Sequence, residues 1–193
     1  ALLRSYIQFV PNTRFIFAGS KQHIMQEMFL SAKRPFYQST QIVTIDAIRK
    51  EEYYDFTRHF FQETNRQFGR DTFYYMYDEF EGHTWYMQAL LNRLYGYGTD
   101  VTDKTLINRA IQELTDEGVY GYQNLIAAYP GVAAKLMKAI AKEGIVTEIN
   151  SGKFISKYKL KAASSINTAL AKLIDKEIVY KDTQGYIIYD RFM

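Results

Sequence analysis

Apolar residues recur every three or four positions through the middle of the chain, the spacing that places them on one face of a helix. Between residues 47 and 64 this face carries Tyr53, Phe56, Phe60 and Phe61. The same spacing continues in three further segments, 71–80, 83–95 and 103–128. The last of these has Thr102 or Asp103 as its cap and a bend at Glu117-Gly118. We therefore expect residues 47–129 to form a helical domain.

The first 46 residues show a different pattern. Residues 14–20 and 41–45 are short apolar runs without polar alternation, which is typical of strands buried on both faces of a parallel sheet. The segment between them has helical spacing, and Ser20 can cap it. Strand, helix and strand make a βαβ unit, which needs partner strands that this sequence lacks. We expect residues 1–46 to be a small α/β remnant, and the chain to be a piece of a longer protein.

Beyond Pro130-Gly131 the pattern changes again. A helix is predicted over 132–143, a short one after the cap residue Ser151, and a longer one over 164–177 with Ser164 or Ser165 as its cap. Two short apolar strands then pair across a turn at Thr183-Gln184-Gly185. Helices followed by a hairpin in this order are typical of a winged helix-turn-helix, which we predict for residues 130–193.

Charge is distributed unevenly between these regions. Residues 130–193 hold 11 Lys and Arg against 6 Asp and Glu, whereas residues 1–129 hold 13 against 15. The positive excess therefore belongs to the predicted winged helix. It indicates an anionic partner, with nucleic acid as the first candidate. The alternative is a surface on which lysine only maintains solubility.

Several classes of protein and site lack their signatures here. No run of about 18 apolar residues and no secretory signal is present, so we predict no membrane span and a cytoplasmic location. The chain has no cysteine, which excludes disulfides, thiolate zinc sites and thiol nucleophiles. No phosphate-binding GxxxxGK[ST] and no HExxH occur, and His23, His59 and His83 lack metal-ligand spacing. We expect neither a metal nor a cofactor in this fragment.

One acidic pair resembles a magnesium-binding motif. Asp78-Glu79 follow the apolar run FYYMY, as such acids do in nucleotide hydrolases. Phe73, Tyr77 and Phe80 also fit one face of a helix, so a core-facing aromatic stripe is the favoured interpretation.

Motifs spread over nearly the whole chain carry a family resemblance. They are Gly19-Ser20 with His23, Met25 and Met28-Phe29, then Arg34-Pro35-Phe36-Tyr37, then Gly82-His83 with Tyr86 and Gln88, and finally Tyr189-Asp190. With them the chain resembles the C-terminal half of prokaryotic AAA+ ATPases of the archaeal-type ATPase family, which is related to the STAND signalling ATPases. The resemblance implies an AAA+ core remnant at 1–46, a helical lid at 47–129 and a winged helix at 130–193. The phosphate loop and the magnesium-binding acids would lie upstream of Ala1. The parent would then use ATP and Mg²⁺, and this fragment would not hydrolyse ATP alone.

The resemblance also implies roles for individual residues. Ser20 corresponds to the sensor-1 residue that contacts the γ-phosphate or the attacking water, a role compatible with capping. Arg34 could stabilise phosphate charge as an arginine finger; a turn arginine paired with an acid is the favoured alternative. Gly82, His83 and Thr84 match the lid motif that faces the nucleotide base. The family usually has proline where this chain has Thr84. This difference concerns the contact with the nucleotide base and leaves the expected lid fold unchanged.

The predicted winged helix supplies candidate nucleic-acid contacts. They are polar or basic and comprise Lys153, Lys157, Lys159, Lys161, Ser165, Asn167, Thr168, Lys172 and Lys181. Short polar side chains can reach base edges, and lysines can hold phosphates. The predicted recognition helix has no arginine, although arginine to guanine is the commonest specific contact. A winged helix that packs on the ATPase core or on another protein is the alternative.

Taken together, the sequence predicts a mainly α protein with a small residual α/β part. Its first functional hypothesis is a nucleotide-controlled switch whose winged helix is the output, in a parent that could oligomerise. The second is the DNA-binding module of a mobile-element or replication-type ATPase, with double-stranded DNA as the partner. The third is a protein-interaction module with a degenerate nucleotide site.

Overall fold

Helices make up most of the chain. The computed structural model describes residues 2–10, 12–19, 22–181 and 184–193. Over these ranges the helices are α1 Leu2–Ile7, α2 Gln22–Leu30, α3 Lys50–Glu63, α4 Arg70–Glu79, α5 Thr84–Gly96, α6 Lys104–Ala128, α7 Val132–Glu143, α8 Gly152–Lys157 and α9 Ala163–Asp175. The strands are β1 Val179–Lys181 and β2 Tyr186–Ile188. The chain divides into two units, Ala1–Asp46 and Ala47–Met193. The prediction of a mainly helical fold is confirmed.

The N-terminal unit is built around three phenylalanines. The ring centroids of Phe17, Phe29 and Phe36 lie 5.3, 5.6 and 5.6 Å apart. The predicted strands at 14–20 and 41–45 were wrong, because the described residues of both segments form no strand and Ile16 and Ile45 are 94% and 93% exposed. A parallel strand bonds to its neighbours in the sheet, and the described part of this unit supplies none.

An aromatic core holds α3 to α6 together. Its innermost side chains are almost fully buried, and they include Phe61, Phe73, Met87, Leu94 and Ile107. The rings meet mostly edge to face, the arrangement that the aromatic quadrupole favours. Helix α3, for example, contributes Phe61, whose ring centroid is 4.9 Å from that of Phe68 at an interplanar angle of 85°.

Helix α6 runs from the aromatic core into the next domain. Its start is capped by Asp103, whose side chain accepts a hydrogen bond from the Thr105 amide at 2.9 Å. Ile107 is buried in the aromatic core, and Ile126, about five turns later, packs on the core of the winged helix. Where a bend was predicted, at Glu117-Gly118, the helix continues for its full 25 residues. None of the helices in the described ranges combines the length and apolarity needed to cross a membrane.

The C-terminal part has the winged-helix order of elements. Helices α7, α8 and α9 enclose an apolar core to which Leu136, Ile140, Ile166 and Leu173 contribute fully buried side chains. Strands β1 and β2 pair antiparallel, with Val179 opposite Ile188 and Lys181 opposite Tyr186. The backbone of Val146 pairs with Tyr186 on the other edge of β2. The predicted helices and the two paired strands of the predicted hairpin are therefore present, while Thr183 of the predicted turn lies outside the described residues.

The last two helices begin differently. Ser151 caps α8 as predicted, its hydroxyl accepting from the Phe154 amide at 3.2 Å. Helix α9 begins at Ala163 after Ala162, whose side chain cannot cap. The predicted cap at Ser164 or Ser165 was wrong because both serines already lie inside the first turn.

The start of α9 provides a test of this difference. We expect Ser164→Ala to leave stability nearly unchanged, and Ala162→Asp to raise it by about 1 kcal/mol, because an aspartate there can accept from free amides of the first turn. The measurement is urea-induced unfolding of the whole chain, with Ser151→Ala as the reference for a lost cap. A loss for Ser164→Ala as large as that for Ser151→Ala would contradict the observed helix start.

Candidate functional site

The outer face of α9 is the first candidate site. Ile166, Leu170 and Leu173 turn inward and are buried. Asn167, Thr168 and Lys172 lie on the opposite face and are exposed. The helical period therefore separates the domain core from a polar surface along the predicted recognition helix.

The polar side chains on this face already have partners. The Asn150 amide donates to Oδ1 of Asn167 at 2.9 Å, and the Thr168 hydroxyl donates to the carbonyl of Ser164 at 3.0 Å. Among the described residues, the side-chain amide of Asn167 donates to no other group. Ser165 is half-buried in the first turn, where its backbone amide donates to the Ala162 carbonyl. Asn167 and Thr168 are thus the better placed of the three predicted contacts.

The predicted lysine cluster separates into two kinds of side chain. Lys157 pairs with Glu143 at 2.5 Å, and the Tyr158 hydroxyl donates to the same carboxylate at 2.6 Å. The hydrogen bond from Lys157 lowers the pKa of Glu143. The same hydrogen bond raises the pKa of Lys157. Lys153, Lys159 and Lys161 are exposed, as Lys157 is. Within the described ranges these three lysines make no ion pair.

The two remaining lysines lie beside aromatic rings. Lys172 Nζ is 5.2 Å from the centroid of Tyr129, and Lys181 Nζ is 5.7 Å from that of Tyr186. Such cation–π contacts are weak at an exposed site. Both ammonium groups therefore stay available to an anionic partner.

The residues of the predicted lid motif lie at the start of α5. Gly82 has a φ of +66°, and a Cβ at this position would lie 2.4 Å from the Tyr77 ring, so only glycine fits. His83 and Thr84 are exposed at the helix start, where the His83 side chain makes no capping bond. The His83 ring centroid is 4.9 Å from that of Tyr86. The backbone of the motif is thus restricted at Gly82, whereas the His83 side chain is exposed to solvent.

Tyr86, from the same motif, contacts the end of the chain. Its hydroxyl donates to the Tyr189 carbonyl at 3.1 Å and accepts from the Arg191 amide at 3.0 Å. We call the set Tyr86, Tyr122, Asp190, Arg191 and Phe192 the C-terminal clamp. It attaches the segment after β2 to the helical domain.

Apolar packing reinforces the C-terminal clamp. Phe192 is buried in the aromatic core, with its ring centroid 5.4 Å from that of Phe80 and 5.2 Å from that of Tyr86. Arg191 donates to the Glu81 carboxylate at 2.8 Å. Glu81 and His83 flank Gly82 in the sequence. Glu81 bonds to Arg191, and the His83 ring lies beside Tyr86, so both neighbours of Gly82 contact the C-terminal clamp.

The long helix α6 contributes the last member of the clamp. The Tyr122 hydroxyl donates to Oδ2 of Asp190 at 3.2 Å, while Oδ1 accepts from the Phe192 amide at 3.0 Å. Burial, followed by the charge of Asp190, raises the pKa of Tyr122 to about 12. Gly118 leaves space for the Tyr122 ring, because a Cβ at position 118 would lie 2.5 Å from that ring.

Sequence reasoning missed this clamp. Tyr86 and Tyr189-Asp190 entered only as parts of the family resemblance, and no role was predicted for Tyr122, Arg191 or Phe192. The available signal was an apolar residue with charged neighbours immediately after the last strand. Nothing local indicates which distant tyrosines such a segment contacts.

The residues predicted to contact phosphate lie in the N-terminal unit. Ser20 falls outside the described residues. Arg34 forms an ion pair with Glu27, to which its Nε donates at 3.1 Å. The arrangement is that of a turn arginine paired with an acid, and the arginine-finger role stays a prediction.

Asp78-Glu79 lie at the end of α4, whose Phe73 is buried as the aromatic-stripe interpretation predicts. Asp78 forms an ion pair with Lys50. Throughout the described ranges, no group of three or more His, Cys, Asp or Glu side chains is arranged to hold a metal ion.

Comparison with known proteins identifies the C-terminal part. Residues 120–193 match a family model described as "probable winged helix domain". No curated protein and no solved structure matches the chain. The chain therefore carries a winged-helix domain, which suggests a DNA-binding or regulatory module. The match begins within α6, ahead of the boundary predicted at residue 130, and it gives no support to an AAA+ origin.

The Tyr86 hydroxyl should stabilise the fold measurably. We expect Tyr86→Phe to lower the free energy of unfolding by about 1–2 kcal/mol, because one donated and one accepted hydrogen bond are lost while the ring stays. Urea-induced unfolding measures the change. Tyr129→Phe is the matched control, since within the described residues its hydroxyl makes no hydrogen bond. Equal midpoints for the two variants would mean that the Tyr86 bonds contribute nothing.

The raised pKa of Tyr122 predicts a loss of stability in alkali. Tyrosine ionises near pH 10 in an unfolded chain, whereas Tyr122 in the folded chain ionises at about 12. Between these values the unfolded chain has lost a proton that the folded chain retains, so stability is intact below about pH 10 and falls as the pH rises towards 12. Tyr122→Phe should remove this part of the slope.

The measurement is the unfolding midpoint of the wild type and the variant between about pH 9 and about 12. Tyr120→Phe, two residues away and 76% exposed, is the control that should keep the wild-type slope. Parallel pH profiles for the wild type and Tyr122→Phe would show that folding does not raise the pKa of the Tyr122 hydroxyl.

Proposed function

We propose that the winged-helix domain binds duplex DNA through α9 and that the helical domain controls its position. The observation that carries this proposal is the polar outer face of α9, with Asn167, Thr168 and Lys172 exposed, preceded in sequence by lysines that make no ion pair among the described residues. A recognition helix of this kind lies in the major groove, which admits one helix. Asn167 would then donate to a base edge through its free amide.

The lysines before α9 would hold the DNA backbone. Lys159 and Lys161 lie in the connection between α8 and α9, and Lys153 lies on α8. Ammonium groups that contact phosphates release counterions, which supplies affinity without sequence preference. Lys181, next to the hairpin turn, would add a contact from the wing. With no arginine on α9, phosphate contacts would contribute more than base contacts.

The same proposal includes nucleotide control. The resemblance to AAA+ ATPases of the STAND-related group implies a parent in which ATP and Mg²⁺ bind near the lid motif. Tyr86 supports such a connection, because it shares a motif with His83 and hydrogen-bonds to the segment that follows β2. If a nucleotide displaced His83, the movement would be transmitted to the winged helix through the Tyr86 side chain.

A protein partner for the same face is the second candidate. It is favoured by the internal hydrogen bonds of Asn167 and Thr168, which leave fewer free groups for base edges. A protein surface could accept such a face without sequence readout. The salt dependence of binding distinguishes the two partners.

We expect the Lys159→Ala/Lys161→Ala variant to bind a mixed-sequence duplex at least tenfold more weakly than the wild type at low salt, and to lower the slope of log K against log salt by about 1.8. Fluorescence anisotropy of a labelled duplex, titrated at several salt concentrations, measures both. Lys33→Ala/Lys104→Ala, which removes the same charge outside the winged helix, is the control. Equal affinity and slope for the two double variants would reject the DNA interface.

Further variants separate base contact from phosphate contact. Asn167→Ala/Thr168→Ala should change the preference among duplex sequences and leave the salt slope unaltered. If the wild type binds none of the duplexes even at low salt, the result would instead favour a protein partner.

A further inference from the structure

Helix α7 carries a set of lysines that the proposed interface on α9 does not use. The exposed residues of α7 are Lys135, Lys138, Lys142 and Glu143. Because the three lysines are spaced three and four residues apart, they lie along one face of the helix. We call Lys135, Lys138 and Lys142 the α7 lysine row. The exposed side of α7 therefore presents three positive charges in a line.

The α7 lysine row is not neutralised by an ion pair. Glu143, the one acid on α7, is paired with Lys157 and accepts a hydrogen bond from the Tyr158 hydroxyl at 2.6 Å. The hydrogen bond from Lys157 lowers the pKa of Glu143 most, and the charge of Lys142 contributes less. Among the described residues, the three lysines make neither an ion pair nor a cation–π contact. An anion could therefore bind all three without breaking an internal ion pair.

The stability of α7 does not account for the row. Lys135 is the fourth residue of the helix, near the positive end of the helix dipole, where a cation is unfavourable. Lys138 and Lys142 are four residues apart, and like charges at this spacing destabilise a helix. Lys142, in the last turn, is the one member that the dipole favours. A bound polyanion would relieve both repulsions.

The row and the outer face of α9 point to different sides of the domain. Leu136 and Ile140 on the inner face of α7 are buried in the same core as Ile166 and Leu173 of α9. The α7 lysine row lies on the opposite side of α7 from these buried residues. Because the inner faces of the two helices meet in that core, the core separates their outer faces. A ligand on the row would thus leave the outer face of α9 open.

The spacing of the row suits a phosphate backbone. Lys135 and Lys142 are seven residues apart, which is about 10 Å along the helix axis. Each strand of duplex DNA carries a phosphate for about every 3.4 Å of its axis, so the row can meet about three phosphates. Lysine holds phosphates as a point charge and does not by itself read the base sequence.

We propose that the α7 lysine row holds the phosphate backbone of a second DNA duplex, so that one winged helix joins two duplexes. The joining rests on the proposed function of α9, which would hold the first duplex. Contact with the second duplex would depend on charge alone and would show no sequence preference.

The number of duplexes bound by one chain tests the proposal. The whole chain is mixed at low salt with an excess of a short mixed-sequence duplex, and the complex is analysed by sedimentation. The wild type should bind two duplexes per chain. The variant Lys135→Ala/Lys138→Ala/Lys142→Ala, called the row variant, should bind one. One duplex per chain in both proteins would overturn the proposal.

Capture of one duplex by another measures the joining directly. The wild type, added to an immobilised duplex, should retain a second, labelled duplex, and the row variant should retain less by about tenfold or more. The affinity for the second duplex should fall with a slope of log K against log salt of about −2.7, as expected for three phosphate contacts. The control Arg14→Ala/Lys33→Ala/Lys104→Ala removes three exposed cations outside the winged helix and should behave as the wild type. Equal capture by the wild type and the row variant would overturn the proposal.

Lys159→Ala/Lys161→Ala separates this proposal from the proposed function. If the wild type binds one duplex that this variant loses and the row variant keeps, the α9 interface stands and the second duplex is rejected. The reverse pattern would reject the α9 interface, and with it the joining of two duplexes. One duplex that needs both sets of lysines would also overturn the proposal, because the row would then extend the first interface. Binding of polyglutamate through the row, without a second duplex, would instead indicate an acidic protein.

Discussion

One tyrosine hydroxyl joins the two parts of the larger unit. Tyr86 bonds to backbone groups of Tyr189 and Arg191, which lie 103 and 105 positions further along the chain. Strands β1 and β2 have only three residues each, and a hairpin this short is marginal alone. The hydroxyl and the buried Phe192 ring fix its outgoing end, so the wing depends on side chains of the helical domain.

Two separate attachments hold the winged helix on that domain. Helix α6 supplies the first, because it begins in the aromatic core and ends against the core of the winged helix. The C-terminal clamp supplies the second, at the other end of the winged-helix sequence. A domain held by one helix could turn about it, whereas a second attachment opposes that motion. Release of the clamp would thus be a discrete event, which is what a switch requires.

How much the sequence predicts depends on how local each interaction is. The helices from α3 to α9 follow from apolar spacing, although the spacing does not fix which residues are buried: on α3, Tyr53 and Phe61 are buried, whereas Phe56 and Phe60 are exposed. The strands at 14–20 and 41–45 were wrong because a strand depends on neighbours elsewhere in a chain. For α9, two serines in the first turn obscured a helix start at Ala163. The clamp was beyond prediction, since no periodicity pairs Tyr86 with Arg191 across such a separation.

The positive charge of the winged helix overstates the number of cationic side chains that an anionic partner can contact. Lys157, Lys176 and Arg191 are paired with Glu143, Asp175 and Glu81. A lysine that gives up an internal carboxylate to reach a phosphate gains less than a free one, because the carboxylate then loses its partner. If the domain binds DNA as proposed, its affinity would depend on the lysines around α8 and α9 that make no ion pair within the described ranges. Binding through these few lysines would be weak by itself, and it would become effective when the helical domain holds the winged helix in the right orientation.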